Sequence, residues 1–232
     1  MAKDFDLDGI VPWGRTLREY CAYFDLDPNA LAESGPVLDV GGGPSSFTAE
    51  ARALGIHATA VDPVYRFEGE QIRAQFEKVS PAMLDGLTRA IHRFTWGYYK
   101  TPGNLMSIRR EALAGFLSDY DGGREDGRYV AGALPRLPFR DGRFRLALCS
   151  HLLFLYSDEL DRAFHIAALT ELLRVAREVR VFPLFDLDGI YSGHVAPAID
   201  ALTGAGFNCE LADVPFEFQK GCRRMLRAWK AA

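Results

Sequence analysis

Two aspartates and three glycines carry the first chemistry legible in this chain. The run Val37-Leu38-Asp39-Val40-Gly41-Gly42-Gly43-Pro44-Ser45-Ser46-Phe47 reads as a buried strand entering a glycine turn and then a helix. Glycines without a Cβ let the backbone turn tightly and approach a ligand closely, and the helix that follows starts with unpaired N–H groups. A second apolar strand, Ala58-Thr59-Ala60-Val61, ends in Asp62. That is about twenty residues beyond the glycines, where a carboxylate can accept both hydroxyl hydrogens of a ribose. Turn and acid together point to a nucleoside-containing ligand over residues 37–62.

Two ligand classes share this outline. Dinucleotide turns use G-x-G-x-x-G, but Ser46 stands where the third glycine would fall. Asp39, two residues before Gly41, can engage a ligand ammonium, directly or through water, and would repel a pyrophosphate. S-adenosylmethionine has that ammonium and no phosphate, so it is the expected cofactor. An NAD-dependent oxidoreductase is the alternative on these residues.

The run resembles the first motif of class I S-adenosylmethionine-dependent methyltransferases, an acid-x-G-x-G pattern. Val61-Asp62-Pro63 looks like the second motif of that family, and Leu137-Pro138-Phe139-Arg140-Asp141-Gly142-Arg143-Phe144 like its approach to the fourth strand. Leu148-Cys149-Ser150-His151-Leu152-Leu153 resembles the end of that strand, and Glu171-Leu172-Leu173-Arg174-Val175 the helix before strand five. The resemblance spans about 36 to 229 and implies a Rossmann-like seven-stranded, mostly parallel sheet with helices on both faces and an antiparallel C-terminal hairpin. It implies cofactor contacts from Asp39, Gly41, Gly42, Gly43, Ser45, Asp62, Pro63, Ala133, Leu134, Cys149 and Ser150. Three positions depart from the pattern: Ser45 replaces a frequent third glycine, Ala133 an acid that bonds the adenine amino group, and Arg145 the aspartate after Phe144. These departures keep a ligand-binding protein without turnover as a further alternative.

The elements that must position these residues follow from periodicity. Short apolar runs near 36–40, 57–61, 127–131, 144–149 and 179–184 alternate with helix-length connectors, the pattern of a parallel α/β sheet. Leu169, Leu172, Leu173 and Ala176 recur at helical spacing, predicting a helix over 158–177 capped at Ser157-Asp158. Phe207, Cys209 and Leu211 alternate with polar residues, and 222–229 follows a turn too short for a crossover, so the two runs pair antiparallel. The stretch 65–126 is far longer than an ordinary crossover. It contains predicted helices at 68–79 and 81–94, and a third marked by Leu105, Ile108, Ala112, Leu113, Phe116, Leu117 and Tyr120. It is expected to be a helical lid or acceptor-binding insertion within a single domain over 1–232.

For chemistry beyond the cofactor, His151 is the candidate base, placed just past strand four. Cys149 and Ser150 are read as lining the cofactor pocket. Trp13, Arg15, Trp96, Tyr98 and Tyr99 are candidates for the acceptor pocket, with Arg15, Arg109 or Arg110 able to pair an acidic acceptor. No metal is expected. Asp4-x-Asp6-x-Asp8-Gly9 starts like a calcium loop, but Arg15 stands at the twelfth position and Pro12 intrudes. Phe-Asp-Leu-Asp-Gly-Ile at 5–10 returns at 185–190 as a coincidence rather than a repeat.

The partner is expected to be a small molecule. A net charge of −4 does not supply the basic face that tracks nucleic acid, and no apolar run reaches the roughly 18 residues of a membrane span. Four scattered cysteines with no C-x-x-C pair and an N-terminus without a signal-peptide pattern point to the cytoplasm.

Overall fold

The computed structural model describes residues 13–230. The acidic stretch at 4–9 and the first copy of the repeated hexapeptide lie outside the described residues. Two short helices come first, α1 (Leu17–Phe24) and α2 (Pro28–Ser34). Neither was predicted, although Thr16 and Glu19 form a capping box whose T-x-x-E spacing is visible in the sequence. Asp27 and Pro28 likewise supply an N-cap and a first-turn proline.

The chain then continues through β1 (Val37–Val40), α3 (Phe47–Ala53), β2 (Ala58–Val61), α4 (Gly69–Arg89), α5 (Pro102–Glu125), β3 (Tyr129–Val130) and β4 (Phe144–Ser150). It ends with α6 (Arg162–Val175), β5 (Ala176–Phe182), α7 (Val195–Gly204), β6 (Phe207–Asp213) and β7 (Arg224–Lys230). The seven strands lie in the order β3-β2-β1-β4-β5-β7-β6. The first five are parallel, while β7 pairs antiparallel with both β5 and β6. This is the Rossmann-like α/β sheet with an antiparallel C-terminal hairpin that the resemblance implied. The order reverses between β1 and β4, and ligands of open α/β sheets bind outside the strand ends at such a switch point.

Each face of the sheet carries its own core. On one side, Tyr20, Phe24, Phe47, Phe116 and Tyr120 pack from α1, α3 and α5. On the other, Leu169, Leu172, Leu173, Ala198 and Leu202 pack from α6 and α7. β1 is buried along its whole length, as a central parallel strand covered on both faces must be.

The sequence expectation fails at three boundaries. Residues 68–94 do not split at Pro81, because α4 runs through it. A proline inside a helix costs about 3 kcal/mol, but Ile72, Phe76, Met83 and Leu87 form one buried stripe across it, and each buried apolar side chain returns about 1.5–3 kcal/mol. α6 starts later than predicted because Asp161, not Ser157 or Asp158, accepts from the Phe164 N–H at 2.7 Å. Residues 154–156 form a separate 3-10 turn. β5 begins directly at Ala176, so the helix stops two residues short of Arg177.

The 65–126 stretch has two parts. α5 is the crossover helix proper: Phe116 and Tyr120 stack among Tyr65 and Tyr129, against the β3 end of the sheet. α4 and the aromatic loop after it are the extra material, held to the C-terminal hairpin by Phe94 stacked on Phe218 at 4.4 Å.

Candidate functional site

A cavity of about 540 Å³ opens at the carboxyl ends of β1, β2, β3 and β4, within the size range of a small-molecule pocket. Gly41 and Gly43 form its floor with φ of +68° and +56°, a left-handed backbone that favours glycine. A Cβ on Gly41 would stand 2.6 Å from Leu152 Cδ2, and one on Gly42 would collide with the Asp39 carboxylate. The turn is stitched to its neighbours by Gly41 N–H to Val61 O at 2.9 Å and Tyr65 hydroxyl to Gly43 O at 2.7 Å.

Asp62 lines the cavity at the end of β2. Its Oδ2 accepts from the Gly43 N–H at 3.0 Å and its Oδ1 from the Val64 N–H at 2.8 Å. Each carboxylate oxygen still has a lone pair for a ligand hydroxyl. Burial pushes Asp62 up to about 6 against those two bonds. Pro63 lines the same wall, and Ala133 and Leu134, just beyond β3, form the wall beside it.

Asp39 lies one layer deeper. It is fully buried and does not line the cavity. Its Oδ1 accepts from the Tyr20 hydroxyl at 2.6 Å, while Oδ2 has no partner. Burial pushes it up to about 7, opposed by the Tyr20 bond and reinforced by the Asp62 charge. Asp39 therefore supports the glycine turn from below, and the direct ligand contact considered from sequence is not what this geometry offers.

Other predicted residues sort by the same test. Gly42, Ser45, Cys149 and Ser150 do not line the cavity. The Ser45 hydroxyl donates to Arg15 O at 2.6 Å, so it fixes the N-terminal segment across the turn. Cys149 faces the opposite core, and burial pushes its thiol up to about 12, which leaves it protonated and inert. Ser150 Oγ shares a 2.9 Å hydrogen bond with His151 Nδ1.

A second, smaller chamber of about 90 Å³ lies beneath the aromatic loop and the hairpin, and Trp13, Arg15 and His151 line both spaces. Trp13 and Arg15 are placed by Gly14, whose missing Cβ lets the chain press on the Pro44 carbonyl. His151 holds φ +53°, a strained value for a residue with a side chain. Its ring packs on Tyr23 and Phe182 with centroids 4.9 and 5.7 Å away. Burial, with the Arg15 and Arg109 cations nearby, holds it well below the usual histidine range, so it is neutral.

Tyr99 and Arg109 line the small chamber, but both belong to a buried network. Arg109 forks onto Glu19 at 2.6 and 2.9 Å, and the Tyr23 and Tyr99 hydroxyls donate to Glu19 Oε1 at 2.9 and 2.5 Å. Trp96 and Tyr98 line neither space. Trp96 donates to Ile91 O at 3.1 Å and packs edge-on to Phe94 and Phe218, and Tyr98 sits under Arg18. Arg110 is exposed on α5. Sequence reading missed Arg66, Gln71 and Gln75, which face the large cavity, and Phe216 and Phe218, which wall the small one. The i,i+4 pair of glutamines was the available signal for the former. Among the described residues, no group of three or more His, Cys, Asp or Glu side chains is placed to hold a metal, and no helix is long and apolar enough to cross a membrane.

No known family model matches the chain. Similar solved structures include magnesium protoporphyrin IX methyltransferase from Synechocystis PCC 6803 with bound SAH, with a TM-score of 0.47 and 15% identity over 93% of this chain and 82% of that one. They also include the PH0226 protein from Pyrococcus horikoshii OT3, at 0.49 and 12% over 93% and 91%. The mitomycin 7-O-methyltransferase MmcR scores 0.49 and 14% over 93% of this chain and 53% of its own. Among curated proteins, uncharacterized protein MJ0045 of Methanocaldococcus jannaschii is 30% identical over 224 residues, covering 95% of this chain and 96% of that protein. A likeness of that extent makes the chain a member of the MJ0045 family.

Proposed function

We propose that the protein is an S-adenosylmethionine-dependent methyltransferase acting on a small-molecule acceptor. The observation that carries this reading is the pairing of Gly41 and Gly43 with Asp62 around one cavity at the β1/β4 switch point. The carboxylates of Asp39 and Asp62, when ionised, favour a ligand with positive charge and oppose a pyrophosphate, which disfavours NAD.

The residues present fit the cofactor. Asp62 would accept the ribose hydroxyls, the glycine backbone would admit the amino-acid end, and Asp39, when ionised, would supply negative charge beneath that end. Ala133, Leu134 and Val61 offer apolar surface to the base. When bound, the cofactor would supply a methyl group activated as a sulfonium. The protein holds the reactants in line and excludes water. His151, at the junction of the two spaces, takes the proton that an O–H or N–H acceptor gives up. Its neutral form has the free lone pair that this requires, because Nδ1 and Nε2 cannot both be protonated in a neutral ring.

Isothermal titration with S-adenosylhomocysteine, S-adenosylmethionine and NAD tests the reading on wild type and Asp62→Ala. Binding of the first two, weakened at least about tenfold by the substitution, is expected. No heat from either sulfur ligand sinks the proposal, and binding of NAD alone replaces it with an oxidoreductase.

A further inference from the structure

The small chamber is mostly apolar, and besides His151 and Gln219 three of its polar residues share one property. Phe94, Tyr99, Leu105, Phe182, Phe216 and Phe218 make most of its wall. The Nε1 of Trp13, the Nε of Arg15 and the Nε of Arg109 are buried without a hydrogen-bond partner, and all three residues line the chamber. Trp13 is only 7% exposed. Buried polar groups in folded proteins are nearly always paired, so three orphans around one space mark where a partner belongs. Every orphan is a donor, and none is an acceptor. The nearby hydroxyl of Tyr99 does not change that balance, because it is committed to Glu19.

Charge narrows the partner further. Arg109 is neutralised by Glu19, but Arg15 forms no ion pair with the described residues: its guanidinium donates only to Trp13 O. His151, beside it, is neutral. Among the described residues the junction therefore holds one part-buried guanidinium without an ion-pair partner, attracted at longer range by the buried Asp39, and an excess of N–H donors in a mostly apolar wall. We infer that the methyl acceptor is an apolar molecule bearing an oxyanion, such as a carboxylate, which Trp13 and Arg15 hold where the two spaces meet. The word acceptor rests on the methyltransferase reading, whereas the oxyanion rests on the chamber alone. A neutral acceptor would satisfy a donor but leave Arg15 without an ion-pair partner among the described residues, and a cationic one would be repelled. The chamber encloses only the end of the molecule that carries the anion, since its volume is below the 150 Å³ or so that surrounds a benzene in a protein core. An oxyanion there also offsets the Arg15 charge that depresses His151, so its arrival strengthens His151 as a proton acceptor.

The test uses benzoate and isobutyrate, each against its own amide, titrated into the protein without nucleoside and followed by ligand-observed NMR. Both acids are expected to bind about tenfold or more tightly than benzamide and isobutyramide. Arg15→Gln should erase that preference and Arg15→Lys should keep most of it, with near-ultraviolet circular dichroism confirming that both variants fold. Equal affinity for acid and amide, no binding of either acid, or a preference that survives Arg15→Gln in a folded protein each overturns the inference. Binding of S-adenosylhomocysteine is measured in parallel. Its absence strikes the methyltransferase reading and leaves the oxyanion site to be judged by its own titration.

Discussion

Tyr20 donates its hydroxyl to Asp39 Oδ1 at 2.6 Å and leaves Oδ2, sealed beneath Gly42, with no partner. A carboxylate placed this way costs stability when it is ionised. Because burial raises Asp39 to about 7, the folded chain binds its proton more tightly than the unfolded chain does. This stability contribution is full below about pH 4 and is lost as pH rises through 7. Asp39→Asn should therefore gain stability over wild type across pH 4 to 7, reaching on the order of 1–3 kcal/mol at pH 8. The same variant should bind S-adenosylhomocysteine more weakly. Denaturant melts of both proteins across that range check the first claim, and a constant difference at all pH values contradicts it.

On the proposed reading Asp62 accepts both ribose hydroxyls best when ionised, and its carboxyl is raised to about 6. Affinity for S-adenosylhomocysteine should hold steady above pH 7 and fall by up to about tenfold per unit below pH 6. Asp62→Asn should be weaker throughout and should lose that dependence. Calorimetric titrations at several pH values measure both profiles.

Glu19 opposes the pattern of the two cradle carboxylates. Burial works to raise it, but the Arg109 charge and the hydrogen bonds around it hold it down at about 2. Its stability contribution is complete above about pH 4.5 and is lost as pH falls through 2. Glu19→Gln leaves a buried guanidinium uncompensated and should cost about 3–5 kcal/mol. Adding Arg109→Met should recover much of that loss. Chemical denaturation of the two single variants and the double variant gives the coupling, and additive losses contradict the pairing.

For His151, Asn is the informative replacement, because it tolerates the positive φ better than most residues. With an O–H or N–H acceptor, His151→Asn should lower kcat by about 10²–10⁴-fold and shift S-adenosylhomocysteine affinity only slightly. An unchanged kcat removes the proton-accepting role.

The strands and the cradle were legible because their signals are local. Apolar runs ending in Gly41 and in Asp62, and the alternation of Phe207, Cys209 and Leu211, depend on neighbours within a few residues. Elements decided by tertiary packing were not legible. Pro81 reads as a break until the buried stripe from Ile72 to Leu87 meets α5. Asp39 reads as a ligand contact until Tyr20, nineteen positions earlier, is seen to occupy one of its oxygens. Trp96 and Tyr98 share the aromatic density of Tyr99, and only the packing of Phe94 on Phe218 decides which ring faces the small chamber. The same holds for Phe216 and Phe218, which sit in a connector without periodicity.

Trp13, Arg15 and His151 are walls of both spaces at once, and on the proposed reading a common wall couples the nucleoside in one space to the acceptor in the other. A ligand that orders these three side chains on one side has already met that ordering cost for a ligand on the other. Linkage makes the relation reciprocal: whatever factor the nucleoside applies to acceptor affinity, the acceptor applies to the nucleoside. Cooperativity between the two ligands, on that reading, should be set by three side chains that neither ligand monopolises.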